Sequence, residues 1–105
     1  MALPTLTGEQ RSEGLRRAAA ARKARADLKA RVKRGEVTLG TVLASEDPVA
    51  LRMRVKELLT SLPGIGAKKA EKLMASVGIA ESRRVGGLGA KQTERLLEAC
   101  ARAVA

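Results

Sequence analysis

Leu62-Pro63-Gly64-Ile65-Gly66-Ala67-Lys68-Lys69-Ala70 lies between two runs of helical apolar spacing, with glycine alternating around a single apolar residue. Gly64 and Gly66 have access to backbone angles closed to other residues and let a ligand approach the main chain closely. Ile65 is placed to plug a core and fix the turn. The amides of the turn and of the next helix's first positions have no partner within that helix and sit at its positive end, an arrangement suited to an oxyanion. Lys68 and Lys69 fall in that first helical turn, where positive charge opposes the macrodipole. Their presence points to an anion that they meet.

Outward from this turn the chain reads helical, and no segment alternates apolar and polar residues long enough for a strand. Upstream, Asp47-Pro48 gives an N-cap followed by proline at the first helical position. The helix it starts carries Leu51, Val55, Leu58, Leu59 and Leu62 toward the core and stops at Pro63. Before it, Thr38 caps a short helix through Leu39, Val42 and Leu43 that ends near Ser45. Downstream, a helix from about Ala67 turns Ala70, Leu73, Met74 and Val77 inward and ends at Gly78. Gly86 to Gly89 form a loop, and a last helix from about Ala90 turns Thr93, Leu96, Leu97 and Cys100 inward.

The first third differs in character. Met1–Leu6 is a short tail, and Thr7 with Gln10 makes a capping-box pattern. Ala, Arg and Lys dominate to Arg34, and Gly35 is a natural stop. Ala18, Ala21, Ala24, Leu28 and Val32 share one helical face with Arg17 and Arg25 on the same side. So thin an apolar stripe predicts a helix only partly docked on the body. The division is a basic helical arm at residues 1–34 and a compact helical body at 35–105, an all-α architecture.

Charge identifies the class of partner. The 105 residues carry 21 Lys and Arg against 11 Asp and Glu, a formal +10, of which residues 1–34 hold +7. Such an excess favours a polyanion. Arg16, Arg17, Arg22, Lys23, Arg25, Lys29, Arg31, Lys33 and Arg34 surround the first helix as a second, less rigid contact, and Arg83-Arg84 is a further candidate. Phe, Tyr, Trp and His are absent. Without aromatics there are no stacking platforms for single strands or for sequence-specific RNA modules. Without His the commonest general base and metal ligand is missing. The single Cys100 cannot pair within the chain, so a reducing compartment is expected. No apolar run reaches signal-peptide or bilayer length, and the expectation is a soluble, cytoplasmic protein.

The glycine turn resembles the helix-hairpin-helix DNA-binding motif, in which backbone amides hold a phosphate beside the minor groove. By that resemblance Gly64, Ile65, Gly66, Lys68 and Lys69 form the grip. The carbonyls of Thr60, Leu62 and Ile65 match positions that hold a monovalent cation in some members, and no other cofactor is implied. Gly86–Leu96 repeats Pro63–Leu73 at an offset of 23, with six of eleven positions identical. The echo fits a second phosphate-binding hairpin, and equally two glycine-led helix starts of similar composition. The longer pattern of Gly64-Ile65-Gly66, Gly78-Ile79, Val85, Leu88 and Leu96 resembles the helix-two-turn-helix domain of a small-subunit ribosomal protein and some repair glycosylases.

Over its whole length the chain is similar to the actinobacterial integration host factors, through the basic first helix, the helical body and the Leu-Pro-Gly-Ile-Gly signature. The resemblance implies a nucleoid-associated protein that binds double-stranded DNA with low sequence specificity, and a monomer in solution is expected. It further implies effects on DNA shape, condensation and topology, with phage integrase and topoisomerase as functional associates. A repair enzyme is disfavoured because Asp27 and Asp47 are the only Asp residues and both precede the turn. A structured-RNA binder like the ribosomal relative is the main alternative, since amides gripping phosphate do not distinguish sugars. A protein-interaction module leaves the charge unexplained.

Overall fold

The structure is a computed structural model that describes residues 7–104; the Met1–Leu6 tail lies outside the described residues. Helix α1 spans Gly8–Lys33. Its capping box is formed as expected: Thr7 Oγ1 accepts the Gln10 amide at 3.1 Å, and Gln10 Oε1 accepts the Thr7 amide at 2.9 Å. Gly35, at φ 77°, turns the chain away after the C-cap Arg34. A helix of 26 residues is about 39 Å long. It dominates the 54 × 32 × 25 Å envelope, and it explains a radius of gyration of 16.5 Å. A compact chain of this length would have about 13 Å.

Only the C-terminal half of α1 touches the body. Ala24 and Leu28 are half-buried and Val32 is 1% exposed, one residue per turn at a spacing of four. Ala18 and Ala21, on the same stripe, are exposed, and Leu15 is 69% exposed. The body reinforces this short seam with Glu57, whose carboxylate takes Lys29 Nζ at 3.2 Å and Arg25 Nε at 3.6 Å. That pairing accounts for Arg25 on the docking side. Arg17 stays in solvent with Glu13, at 3.0 Å.

The body begins with two five-residue helices, α2 (Leu39–Leu43) and α3 (Pro48–Arg52). Thr38 Oγ1 accepts the Thr41 amide at 3.2 Å and Asp47 Oδ1 accepts the Val49 amide at 3.0 Å, so both expected caps are in place. The single helix expected from Pro48 to Leu62 is instead two. The chain is extended at Met53 and Arg54, and α4 (Val55–Ser61) starts afresh. The cause lies in the apolar pattern. Met53 and Val55 are both buried. On a continuous helix residues two apart face nearly opposite ways, whereas in extended chain they share a side. The extended pair is held by an antiparallel bridge to a distant loop: the Val55 amide donates to the Arg83 carbonyl at 3.0 Å and the Val85 amide to the Met53 carbonyl at 2.9 Å.

Helix α5 (Ala67–Val77) ends at Gly78, whose left-handed φ of 80° lets the Ile79 amide reach the Met74 carbonyl at 2.9 Å. The Gly86–Gly89 loop begins with a single 3-10 turn at Val85–Gly87, and α6 (Ala90–Val104) closes the body against α5 and α2. The core where these elements meet is aliphatic and sulfur-bearing, centred on Met53, Val55, Leu58, Leu59, Met74 and Leu96. Cys100 is buried with them, and burial pushes its thiol above the ordinary range.

Truncating Leu58, which is fully buried, to Ala should cost about 3 kcal/mol in urea denaturation. Glu57→Gln should cost less than about 1 kcal/mol, because the two cations it pairs with are about half exposed and solvent-screened. A Glu57→Gln loss as large as that of Leu58→Ala would mean that the ion pairs, and not Val32, hold the arm. Cys100 should react with thiol reagents only as the protein unfolds. Its buried neutral form should add stability that is fully present below pH 9.0 and lost as pH rises beyond it.

Candidate nucleic-acid interface

Between α4 and α5 the chain reverses in four residues. Leu62 is extended, as a residue before proline must be, and its carbonyl accepts the Ile65 amide at 3.3 Å. Pro63 occupies the second position and Gly64 the third, where φ is +82°. This is the pattern of a type II turn, in which the third residue needs positive φ and glycine supplies it without steric cost. Ile65 is 4% exposed and plugs the core as its spacing predicted. Its own amide is spent on closing the turn, so within the Gly64–Lys69 segment Ile65 contributes anchoring.

The neighbouring amides behave differently. Gly66 caps α5 in extended conformation with no side-chain hydrogen bond, and the first bond of the helix runs from the Ala70 amide to the Gly66 carbonyl at 3.0 Å. The N–H groups of Gly64, Gly66, Ala67, Lys68 and Lys69 therefore have no acceptor among the described residues. An atom added at Cα of Gly64 or Gly66 would meet nothing within 4 Å, so this surface is open. Five free donors at the positive end of a helix are a preformed oxyanion cradle.

The two lysines part company. Lys68 is exposed and has neither ion pair nor hydrogen bond among the described residues. Lys69 Nζ instead donates to the Ala103 carbonyl at 3.0 Å, in the last turn of α6, where carbonyls lack intrahelical partners. Its amide still faces the cradle; its ammonium ties two helices together. As for the cation carbonyls, Leu62 already accepts one hydrogen bond and keeps a second lone pair, and Thr60 lies in the last turn of α4.

The sequence echo is real in three dimensions. The Leu88 amide donates to the Val85 carbonyl at 3.2 Å and the Thr93 amide to the Gly89 carbonyl at 3.0 Å, both 23 residues beyond their counterparts in the first turn. What differs is the fate of the remaining donors. The Gly87 amide is bound to the Arg84 carbonyl at 2.9 Å, and the Gly89 amide to Gln92 Oε1 at 3.2 Å. Lys69 stands where Gln92 would be in the first turn, and leaves the Gly66 amide free. The second turn thus repeats the backbone register but ties up the Gly87 and Gly89 amides internally, leaving those of Ala90, Lys91 and Gln92 without an acceptor among the described residues.

The arginines are distributed among several neighbours. Arg83 donates to the Gly87 carbonyl at 3.2 Å and Arg84 to the Arg52 carbonyl at 2.6 Å. On the arm, Arg16 and Arg17 pair with Glu13, Arg31 and Arg34 with Glu36, and Arg25 and Lys29 with Glu57. Arg22, Lys23 and Lys33 have no carboxylate within 4.0 Å among the described residues. Surface pairs of this kind are worth about 0–1 kcal/mol, so even the paired cations stay available to a polyanion. Sequence reasoning passed over Arg11, which like Arg22 and Lys33 has no paired carboxylate among the described residues; the three are eleven residues apart and so follow one flank of α1. The regular spacing was the available signal. It also passed over Arg54, which the bridge places opposite Arg84 and which no local pattern marks.

Gly64→Ala should lose roughly 1–2 kcal/mol in chemical denaturation through its left-handed φ. Gly66→Ala, in extended backbone with open space around it, should stay within about 0.5 kcal/mol of the parent. Equal losses at the two positions would contradict the turn described.

Comparison with known proteins agrees with this geometry. Residues 32–100 match the family model described as the S13-like H2TH domain. The chain is 51% identical over 100 residues to a protein named integration host factor from Mycobacterium tuberculosis, covering 93% of this chain and 95% of that one. It is 48% identical over 98 residues to the protein of the same name from Streptomyces coelicolor, covering 91% and 92%. Among solved structures, sIHF bound to an 8 bp palindromic DNA aligns with a TM-score of 0.77 at 44% identity, covering 79% of this chain and 96% of that one. With the free-amide turn, the basic first helix and these relatives in agreement, the chain belongs to the integration host factor family, built on an S13-like H2TH domain.

Proposed function

We propose that this protein binds double-stranded DNA through the sugar-phosphate backbone, beside the minor groove and with little regard for base sequence. It acts as a monomeric nucleoid-associated protein that bends or constrains DNA, influences its topology and condensation, and assists phage integration. The observation that carries this reading is the set of five unpartnered amides from Gly64 to Lys69 beside the free ammonium of Lys68. Main-chain donors read no base edges, so the grip they give is positional. Support comes from the DNA held by the structural neighbour, from the +10 charge and from the arm's cations on α1. Arm and hairpin together on one duplex would require it to bend, which is how so small a protein would alter DNA shape.

Its place is the nucleoid, with topoisomerase and phage integrase acting on the DNA it has shaped, and it works by binding alone. After the hairpin the chain carries no Asp of the kind that repair chemistry would use. One observation favours a second reading: the matching domain is S13-like, and an amide cradle accepts phosphate from RNA as readily. Competition between duplex DNA and structured RNA at matched salt should leave DNA bound; clear displacement by RNA would transfer the assignment.

On titrating isotope-labelled protein with duplex, the amide resonances of Gly64, Gly66, Ala67 and Lys68 should shift while that of Leu58 in the core does not. Saturation without movement at those positions would overturn the reading. A footprint of about 6–10 phosphates should lose roughly three to five decades of affinity between 50 and 200 mM salt. Lys68→Ala should reduce the salt slope by about 1 and weaken binding alike on unrelated sequences.

A further inference from the structure

Glu57 adds little to stability, yet its placement is specific. Val55 and Leu58 on either side of it are fully buried, so its stretch of α4 is fixed in the body. The same helix runs on to Ser61 and delivers the turn whose amides are free. Glu57 and the cradle therefore belong to one rigid piece. Its carboxylate reaches α1 and takes Arg25 and Lys29 together, at 3.6 and 3.2 Å. Those two residues stand on successive turns, about 6 Å apart along the helix. One ion pair would restrain a distance; two from successive turns restrain a direction.

Little else restrains that direction. The apolar seam is a single row, Ala24, Leu28 and Val32, which holds the arm to the body but resists rolling and tilting poorly. Open clefts lie beside it, one of about 180 Å³ along Leu28, Arg31 and Val37 and one of about 90 Å³ along Ala21, Arg25 and Val49. Glu36 pairs with Arg31 and Arg34, but it lies in the link just after the helix and moves with it. Glu13 pairs within the arm. Among the described residues, the side-chain ion pairs and hydrogen bonds that join α1 to another helix are those of Glu57. A carboxylate between two phosphate-binding surfaces also weakens both by repulsion, so affinity alone gives no reason for it.

We propose that Glu57 is a positioning residue: by holding Arg25 and Lys29 it sets the angle between the arm and the hairpin, and thereby the bend of a duplex that touches both. The proposal rests on the duplex-binding and bending reading above and assigns the geometry of that bend to one carboxylate. The seam leaves the angle soft, so screened ion pairs too weak to matter for folding are enough to bias it. Glu57 touches no DNA in this role; it acts through the arm.

The test uses the whole chain and follows the arm's angle and the DNA's shape separately. In the free protein, spin labels at Ser12→Cys on the arm and Ser76→Cys on α5 report the distribution of distances between them; both sites are exposed, and Cys100 is buried and stays unlabelled. With a duplex of about 30 bp, shorter than the persistence length, energy transfer between dyes on its two ends reports the bend at saturating protein. Glu57→Gln should broaden the distance distribution. It should also lose about half or more of the parental bend. Single-duplex affinity should change by less than about threefold, since the charge removed is a screened one. Glu57→Asp should restore the parental distribution and bend, because the long stems of Arg25 and Lys29 can follow a carboxylate drawn back by one methylene. A purely structural role would lower the melting temperature and leave the bend of the saturated complex at its parental value. An unchanged distance distribution, or an unchanged bend, in Glu57→Gln would overturn the proposal. A parent chain that binds no duplex, or binds it and leaves it straight, would instead remove the reading on which the proposal rests, and the proposal would fall with it.

Discussion

Everything outward-facing at the hairpin depends on one inward commitment, the seating of Ile65. Its side chain is in the core and its amide closes the turn on Leu62. With that residue pinned on both counts, Gly64 on one side and Gly66 on the other present their N–H groups to solvent. Pro63 and Gly64 supply the backbone angles at low cost, and α5 starts at Gly66 without a side-chain cap, which leaves its first amides open. The geometry is thus preorganised: little chain entropy remains to be lost when an oxyanion arrives.

The rest of the molecule is economical in a different way. A core with no aromatic residue must draw its cohesion from many small contacts, and here it also recruits backbone ties across long sequence separations. The bridge at Met53–Val85 is one; the Lys69 ammonium on the end of α6 is another. In each, a polar group serves the fold at a place where composition alone suggested only solvation or a partner. The arm shows the reverse, a long helix whose chemistry is nearly all directed outward and whose attachment is one row of apolar side chains with the Glu57 ion pairs beside it.

Much of this was legible in the sequence because it is encoded locally. The caps at Thr7, Thr38 and Asp47, the end of α5 at Gly78 and the plug at Ile65 each depend on a few adjacent residues. The break at Met53–Arg54 was not legible in that way. Its extended conformation is stabilised by Arg83 and Val85, some thirty residues away, and the local pattern through Leu51 and Val55 mimics a continuous helix. The same holds for the candidate site. Free amides could be counted from the spacing of glycines, whereas the capture of Lys69 by Ala103, of Arg84 by Arg52 and of the Gly89 amide by Gln92 depends on side-chain positions that only the folded chain specifies.

The narrow footing of α1 makes it a lever. From Gly8 to Ala24 it projects about 24 Å past the last residue that touches the body. A tilt of about 10° at the Leu28–Val32 base, about 30 Å from the tip, would sweep that tip through about 5 Å. Small adjustments at that pivot would therefore let the tip follow surfaces of different curvature while the hairpin keeps its hold, and the shape of the bound object would be set by compliance at the base and not by the length of the rod.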